Sequence, residues 1–202
     1  IVECIDANFG FSRYAERLGR SANSFDELYL ALQQEPTYID EVLFSILKSK
    51  IETIQPELLL ISVPFPGNLY SAFRSAQWVR KHHPEIKISM GGGFPNTELR
   101  SLSDARVFEF FDYITLDDGE TPIELLINVV TSSVVEKQYK RTFLLEDGKV
   151  VYKNNSIKPD YKQSQVGTPD YSDLPLDKYI SVIEIVNPMH RMWSDGRWNK
   201  LT

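Results

Sequence analysis

A single cysteine, Cys4, stands among the 202 residues, which excludes an intramolecular disulfide and any cysteine-built metal or cluster site within this chain. Such usage fits a reducing compartment, so a cytoplasmic location is the expectation. No apolar run approaches the ~18 residues of a membrane span. Positive charge is in deficit: 22 Lys and Arg against 28 Asp and Glu leave a net charge of −6, the wrong sign for a nucleic-acid footprint. Also missing are a Gly-x-x-x-x-Gly-Lys phosphate loop, a Gly-x-Gly-x-x-Gly fingerprint and a Gly-x-Ser-x-Gly elbow. No basic-then-apolar leader opens the chain and its first residue is Ile, so the expectation is a segment cut at both ends from a longer protein.

What remains is ordinary globular material, 42% hydrophobic and 25% charged, enough for one domain of roughly 150 residues with a tail. Ile1 to Asp6 fits a short strand and a helical spacing equally well. Ser24-Phe25-Asp26-Glu27 has the form of a capping box and predicts a helix to about Leu32, with Leu28 and Leu32 inward. A second helix is predicted from Tyr38 to Ile54, its apolar stripe made of Ile39, Val42, Leu43, Ile46, Leu47 and Ile51. Glu57 to Val63 is almost continuously apolar, the mark of a strand buried on both faces of a parallel sheet. Asn68 then reads as the cap of a helix to about His82, which ends in the basic run Arg80-Lys81-His82-His83, where cations suit the dipole.

Ile86 to Met90 alternates like a strand and empties into Gly91-Gly92-Gly93. These glycines read either as a turn or as a floor that something approaches closely. Thr97 to Leu102 is expected to be a short helix. Phe111 to Leu116 is the next strand, and Thr121 to Val130 a helix with Ile123, Leu126 and Val130 inward. Strands alternating with amphipathic helices imply a parallel sheet with right-handed crossovers, a flavodoxin-like α/β fold. Beyond Val130 a β-hairpin turns at Asp147-Gly148. Asn154 to Tyr179 reads as an extended linker, Ile180 to Val186 as one more strand, and the stretch from Pro188 to Trp198 as surface for an adjoining domain. The expected division is an α/β domain over 1–135, with hairpin and linker over 136–202.

Ligands of open parallel sheets bind outside the carboxyl ends of the strands. Three loops belong there: Ser62 to Asn68, Gly91 to Asn96, and Asp117 to Glu120. Together they suggest a floor of backbone N–H groups and small side chains. Asp117, Asp118 and Glu120 also allow a magnesium site, but acids at a helix start are favoured as caps and dipole partners. No catalytic apparatus is evident.

The runs PELLLISVPFPGN, IKISMGGGFPN and FDYITLDDGETPIELL resemble the N-terminal cobalamin-binding-type domain of cobalamin-dependent radical S-adenosylmethionine proteins. That group includes the magnesium-protoporphyrin monomethyl ester cyclases, and the resemblance covers roughly Pro56 to Val130. It is carried by Ser62, by Gly91 and Gly92 with Pro95, and by Asp112 with Gly119 and Glu120. TPDYSDLPLDKY looks like the linker into the family's radical domain, whose Cys-x-x-x-Cys-x-x-Cys motif is not in this chain. The resemblance implies an accessory domain that is non-catalytic in isolation. Its cobalamin would meet Ser62, Val63, Gly67, Asn68, Gly91, Gly92, Gly93, Phe94, Pro95, Gly119 and Glu120. Its partner would be a downstream radical domain holding the iron–sulfur cluster and S-adenosylmethionine. The Asp-x-His-x-x-Gly run of cobalamin mutases is missing, so a histidine lower ligand is not expected. The alternative is a degenerate scaffold that docks to the radical domain without cofactor.

Overall fold

The computed structural model describes residues 25–132, 136–168, 170 and 172. The expectations for Ile1 to Asp6, for Ser24 as a cap, for Ile180 to Val186 and for the tail from Pro188 lie outside the described residues. Two compact units are distinguished, Ile1–Tyr161 and Lys162–Thr202; the sheet belongs to the first.

Helices α1 (Asp26–Leu32) and α2 (Tyr38–Ile54) precede strand β1 (Leu58–Ser62). A 3-10 turn (Pro66–Asn68) leads into α3 (Leu69–His82), then β2 (Lys87–Gly91) and the short α4 (Gly93–Glu98). A second 3-10 turn (Ala105–Glu109), β3 (Tyr113–Thr115), α5 (Glu120–Thr131), β4 (Thr142–Glu146) and β5 (Lys149–Lys153) follow. The sheet order is β1-β2-β3-β4-β5. β1, β2 and β3 run parallel, while β4 and β5 add in antiparallel sense. This is an α/β, flavodoxin-like arrangement with helices on both faces. Among the described residues no helix is long and apolar enough to cross a membrane.

The two faces carry separate cores. Leu59, Ile61, Ile88, Met90, Ile114 and Phe143 pack with residues of α1, α2 and α3. Phe73 is the hub, with ring centroids 5.1 Å from Phe25, 5.1 Å from Phe110 and 4.9 Å from Phe111. Tilted and edge-on aromatic pairs of this kind add about 0.5–1.5 kcal/mol beyond burial. On the other face Leu126 and Val129 of α5 meet Tyr113, Tyr139 and Leu144.

Several expectations change. α1 begins with no side-chain cap, Phe25 standing at that position. A capping box opens α2: Thr37 Oγ1 accepts from Asp40 N at 3.3 Å and Asp40 Oδ2 accepts from Thr37 N at 3.0 Å. The inward face of α2 is Asp40, Phe44, Leu47 and Ile51, whereas Val42 and Ile46 are exposed. The helix is rotated because Asp40, fully buried, pairs with Arg74 of α3 at 3.2 Å.

β1 is not covered on both faces. Among the described residues it is an edge strand, and Leu60 is 43% exposed. Asn68 occupies the cap position of α3 but makes no side-chain cap hydrogen bond, because the 3-10 turn already leads the backbone into the helix. The helix expected at Thr97 starts four residues earlier, inside the glycine run. α5 buries Leu125, Leu126 and Val129, leaving Ile123 and Val130 half-covered. The hairpin stands as expected, with Asp147 at φ 49 and Gly148 at φ 74, the left-handed pair of a two-residue turn. It completes the sheet rather than hanging from it.

Candidate functional site: the carboxyl edge of the sheet

Parallel strands deliver their following loops to one edge, and here hydrogen bonds join those loops laterally. Val63 N donates to Gly91 O at 2.8 Å, and Phe94 N donates to Val63 O at 2.9 Å. Asp117 N donates to Asn96 Oδ1 at 2.6 Å. Loops 62–68, 91–96 and 117–120 therefore form one continuous surface. Ser62, Pro64, Asn68, Gly93, Asp117, Asp118 and Glu120 are exposed on it, Gly67 and Gly119 are half-buried, and Val63, Phe94 and Pro95 lie beneath.

The glycines resolve the choice between turn and floor in an unexpected way. A Cβ on Gly91 would stand 2.9 Å from Thr115 Oγ1, one on Gly92 2.9 Å from the Val63 backbone, and one on Gly93 2.6 Å from Pro64 O. Each missing side chain is replaced by the neighbouring loop or strand. Gly92 also sits at φ 104, a conformation that L side chains rarely adopt. The chain itself requires these glycines, with or without a ligand. Gly93 stays exposed, while Gly91 and Gly92 are half-buried.

The chemistry of the exposed groups tests the implied cofactor. A corrin is large and planar, and the exposed hydroxyl of Ser62, the amide of Asn68 and the backbone at Gly93 suit a face of that kind. His82 and His83 end α3, where His82 Nδ1 lies 2.8 Å from Trp78 O and its ring stacks on Trp78. They are structural at the helix end and do not reach the carboxyl edge. Among the described residues the groups that would hold such a cofactor are Ser62, Asn68 and the Gly93 backbone, and neither His82 nor His83 is placed to reach its metal.

One residue of the resemblance, Asp112, does not join this surface. Asp112 lies at the opposite, amino edge, where its carboxylate accepts from Arg80 at 2.6 Å, Lys87 at 3.0 Å and the Ile88 amide at 2.8 Å. It ties α3 to the sheet. Gly119 caps α5, and a Cβ there would meet Ile123 Cδ1 at 3.2 Å. Asp117 is engaged by Arg100 and faces Arg141 Nε at 3.7 Å; among the described residues no group of three His, Cys, Asp or Glu could hold a metal ion. A cleft of about 630 Å³ also lies at the amino edge, walled by Ile51, Pro56, Ile86, Tyr113 and Val129. It is far from the loops and mixes Glu52, Glu57 and Glu85 with Lys87 and Lys137 on its rim, so it selects no charge class of ligand.

Sequence reasoning missed Asn96, Arg100 and Arg141 as the groups that fix the third loop. Asn96 lay within a predicted loop. Arg141 is remote from the third loop in sequence and belongs to no recognisable pattern, so it carried no signal; only the β3–β4 pairing brings it there.

Fold and edge together define a flavodoxin-like α/β domain with a loop-built carboxyl surface. No family model, curated protein or solved structure matches the chain.

Proposed function

We propose that this chain is a cobalamin-binding-type accessory domain that presents a cofactor to a radical S-adenosylmethionine domain of the same protein, in the cytoplasm. The observation that carries it is the lateral joining of three βα loops into one exposed carboxyl edge. Ser62, Asn68 and the backbone at Gly93 are the groups available to the cofactor, with Gly67, Gly119 and Glu120 at the rim. Val63, Phe94 and Pro95 support them from below. Bound cobalamin would supply cobalt-centred chemistry to the downstream domain, while this chain binds, orients and shields one of its faces.

Hydroxocobalamin added to the protein and followed by its visible spectrum during gel filtration tests the reading. Co-elution with the protein is expected; free elution from both this chain and the full-length protein overturns it. Sequence beyond Thr202 is expected to carry the Cys-x-x-x-Cys-x-x-Cys motif.

One observation favours a second reading, a scaffold that kept the fold and docks without cofactor. The space at all three glycines is filled by the chain itself, so the glycine run needs no ligand to explain it. Replacing Gly92 cannot separate the two readings, because it strains the fold under either. The exposed Asn68 can: Asn68→Trp is expected to weaken cobalamin retention while leaving the fold intact. Unaltered full-length activity in that variant, with no cobalamin retained by the wild-type protein, selects the scaffold.

A further inference from the structure

Asp117 (φ 60) and Arg141 (φ 46) both hold left-handed backbone conformations, which are costly for residues with side chains and persist where the surroundings over-determine them. They face each other at one corner of the carboxyl edge. Arg141 directly precedes β4, and its carbonyl accepts from Leu116 N at 2.9 Å, extending the β3–β4 ladder by one bond. Its guanidinium then does three further things. Nε donates to Leu116 O at 3.3 Å, Nη2 donates to Asp118 O at 3.0 Å, and both terminal nitrogens grip Asp160, each at 2.8 Å. Lys140 Nζ reaches the same carboxylate at 3.3 Å.

Asp160 belongs to residues 154–161, which the sequence presents as featureless linker. They form a strap. Asn154 and Asn155 side chains accept from the amides of Arg141 and Tyr139, and Ser156 N donates to Tyr139 O at 3.0 Å. Thr121 Oγ1 donates to Pro159 O at 3.4 Å, and Tyr161 donates to Glu124 at 2.6 Å. The third loop is thus held on one flank by Asn96 and Arg100 of its neighbour. On the other it is held by a cation whose orientation depends on the strap.

We propose that Arg141 is the positioning residue of a latch, closed by Asp160, that couples the third loop of the carboxyl edge to the strap by which the chain leaves this unit. A planar bidentate pair fixes the guanidinium in one plane, and in that plane it reaches both loop carbonyls. Releasing Asp160 frees the guanidinium to turn, and the loop loses two restraints at once. The converse follows by linkage: whatever restrains Asp118 steadies the strap. The functional meaning of the latch rests on the carboxyl edge being the binding surface, but the coupling is measured without any ligand.

The test is amide hydrogen exchange on the folded chain, comparing Asp160→Ala, Arg141→Lys and Glu124→Gln. Asp160→Ala is expected to speed exchange over residues 116–119 by about tenfold, alongside residues 154–161, with the melting temperature little changed. Arg141→Lys is expected to speed the 116–119 segment as well, since one ammonium cannot reach both carbonyls and the carboxylate. Glu124→Gln weakens only the far end of the strap, by removing the Lys158–Glu124 ion pair, and is expected to leave 116–119 unchanged. The latch is overturned if Asp160→Ala frees the strap and leaves 116–119 protected, or if Glu124→Gln loosens the loop equally. Should Asp160→Ala prove unfolded, Arg141→Lys decides by the same segment. Failure of hydroxocobalamin to bind counts against the proposed function alone.

Discussion

Arg74 enters the interior with its charge, 2% exposed, and every nitrogen engaged. Nε donates to Tyr70 OH at 2.8 Å and lies 3.2 Å from Asp40, Nη1 donates to Leu32 O and Gln77, and Nη2 donates to Ala31 O and Gln34 O. It therefore closes the orphan carbonyls of α1 while neutralising Asp40. Removing one partner of such a pair strands a buried charge at about 3–5 kcal/mol, so Arg74→Ala is expected to lower unfolding free energy by that amount in urea titrations; a loss below about 1 kcal/mol contradicts the clasp. Gly92→Ala is expected to destabilise by about 1–3 kcal/mol through its backbone conformation alone, before the contact with Val63 is counted. Asp160 titrates at about 2, held down chiefly by its hydrogen bonds to Arg141. A carboxyl depressed in the folded state stabilises above its unfolded value and loses that contribution as pH falls. The strap should thus stay closed above about pH 4 and release through about pH 2, read from the Asp160 carboxyl carbon in an NMR titration. A midpoint near the unperturbed value contradicts the latch. Asp40, Arg74 and Asp160 did not announce themselves in sequence: an Asp and an Arg on amphipathic helices read as solvated until the packing partner is known, and a lone Asp in a polar run reads as linker.

Elements were legible where period and punctuation agreed. α2 and α3 carry strong apolar recurrence and end at Gln55-Pro56 and His83-Pro84, and Asp-Gly marked the hairpin; their existence followed from local chemistry alone. The facing of α2 did not. Its apolar positions allow more than one inward stripe, and only the Asp40–Arg74 clasp and the Phe44–Trp78 stack at 6.3 Å choose between them. β1 misled for a related reason, since continuous apolarity marks a strand made to be covered, while position in a sheet depends on what pairs with it. Thr37→Ala is expected to cost about 0.5–2 kcal/mol by removing one half of the α2 capping box, measured by thermal unfolding. Because α2 is independently anchored by Asp40, its helicity should remain in the folded state. Loss of helical circular dichroism before the cooperative transition contradicts that assignment.

At the scale of the molecule, alternation of strands and helices foretold an α/β, flavodoxin-like sheet, and the three carboxyl-edge loops came together as the topology requires. The antiparallel extension by β4 and β5 was not legible, because a hairpin seen in sequence does not say which edge it joins. Buried phenols give the whole fold an alkaline limit. Tyr70 and Tyr113 are each pushed up to about 12, first by burial. An acid group that stays protonated in the folded state contributes fully below its unfolded pKa and loses that contribution as pH rises through the folded value. Denaturation midpoints should therefore fall between about pH 10 and pH 12, and a flat profile there contradicts the burial of these rings.

The loop-built carboxyl edge is the proposed binding surface. Titrating isotope-labelled protein with hydroxocobalamin and following backbone amides by NMR tests it most directly. Saturable shifts are expected at Ser62, Asn68, Gly93 and Gly119, with Lys87 and Tyr113 at the amino edge unmoved. Shifts confined to the amino edge, or none at any cofactor concentration, contradict it.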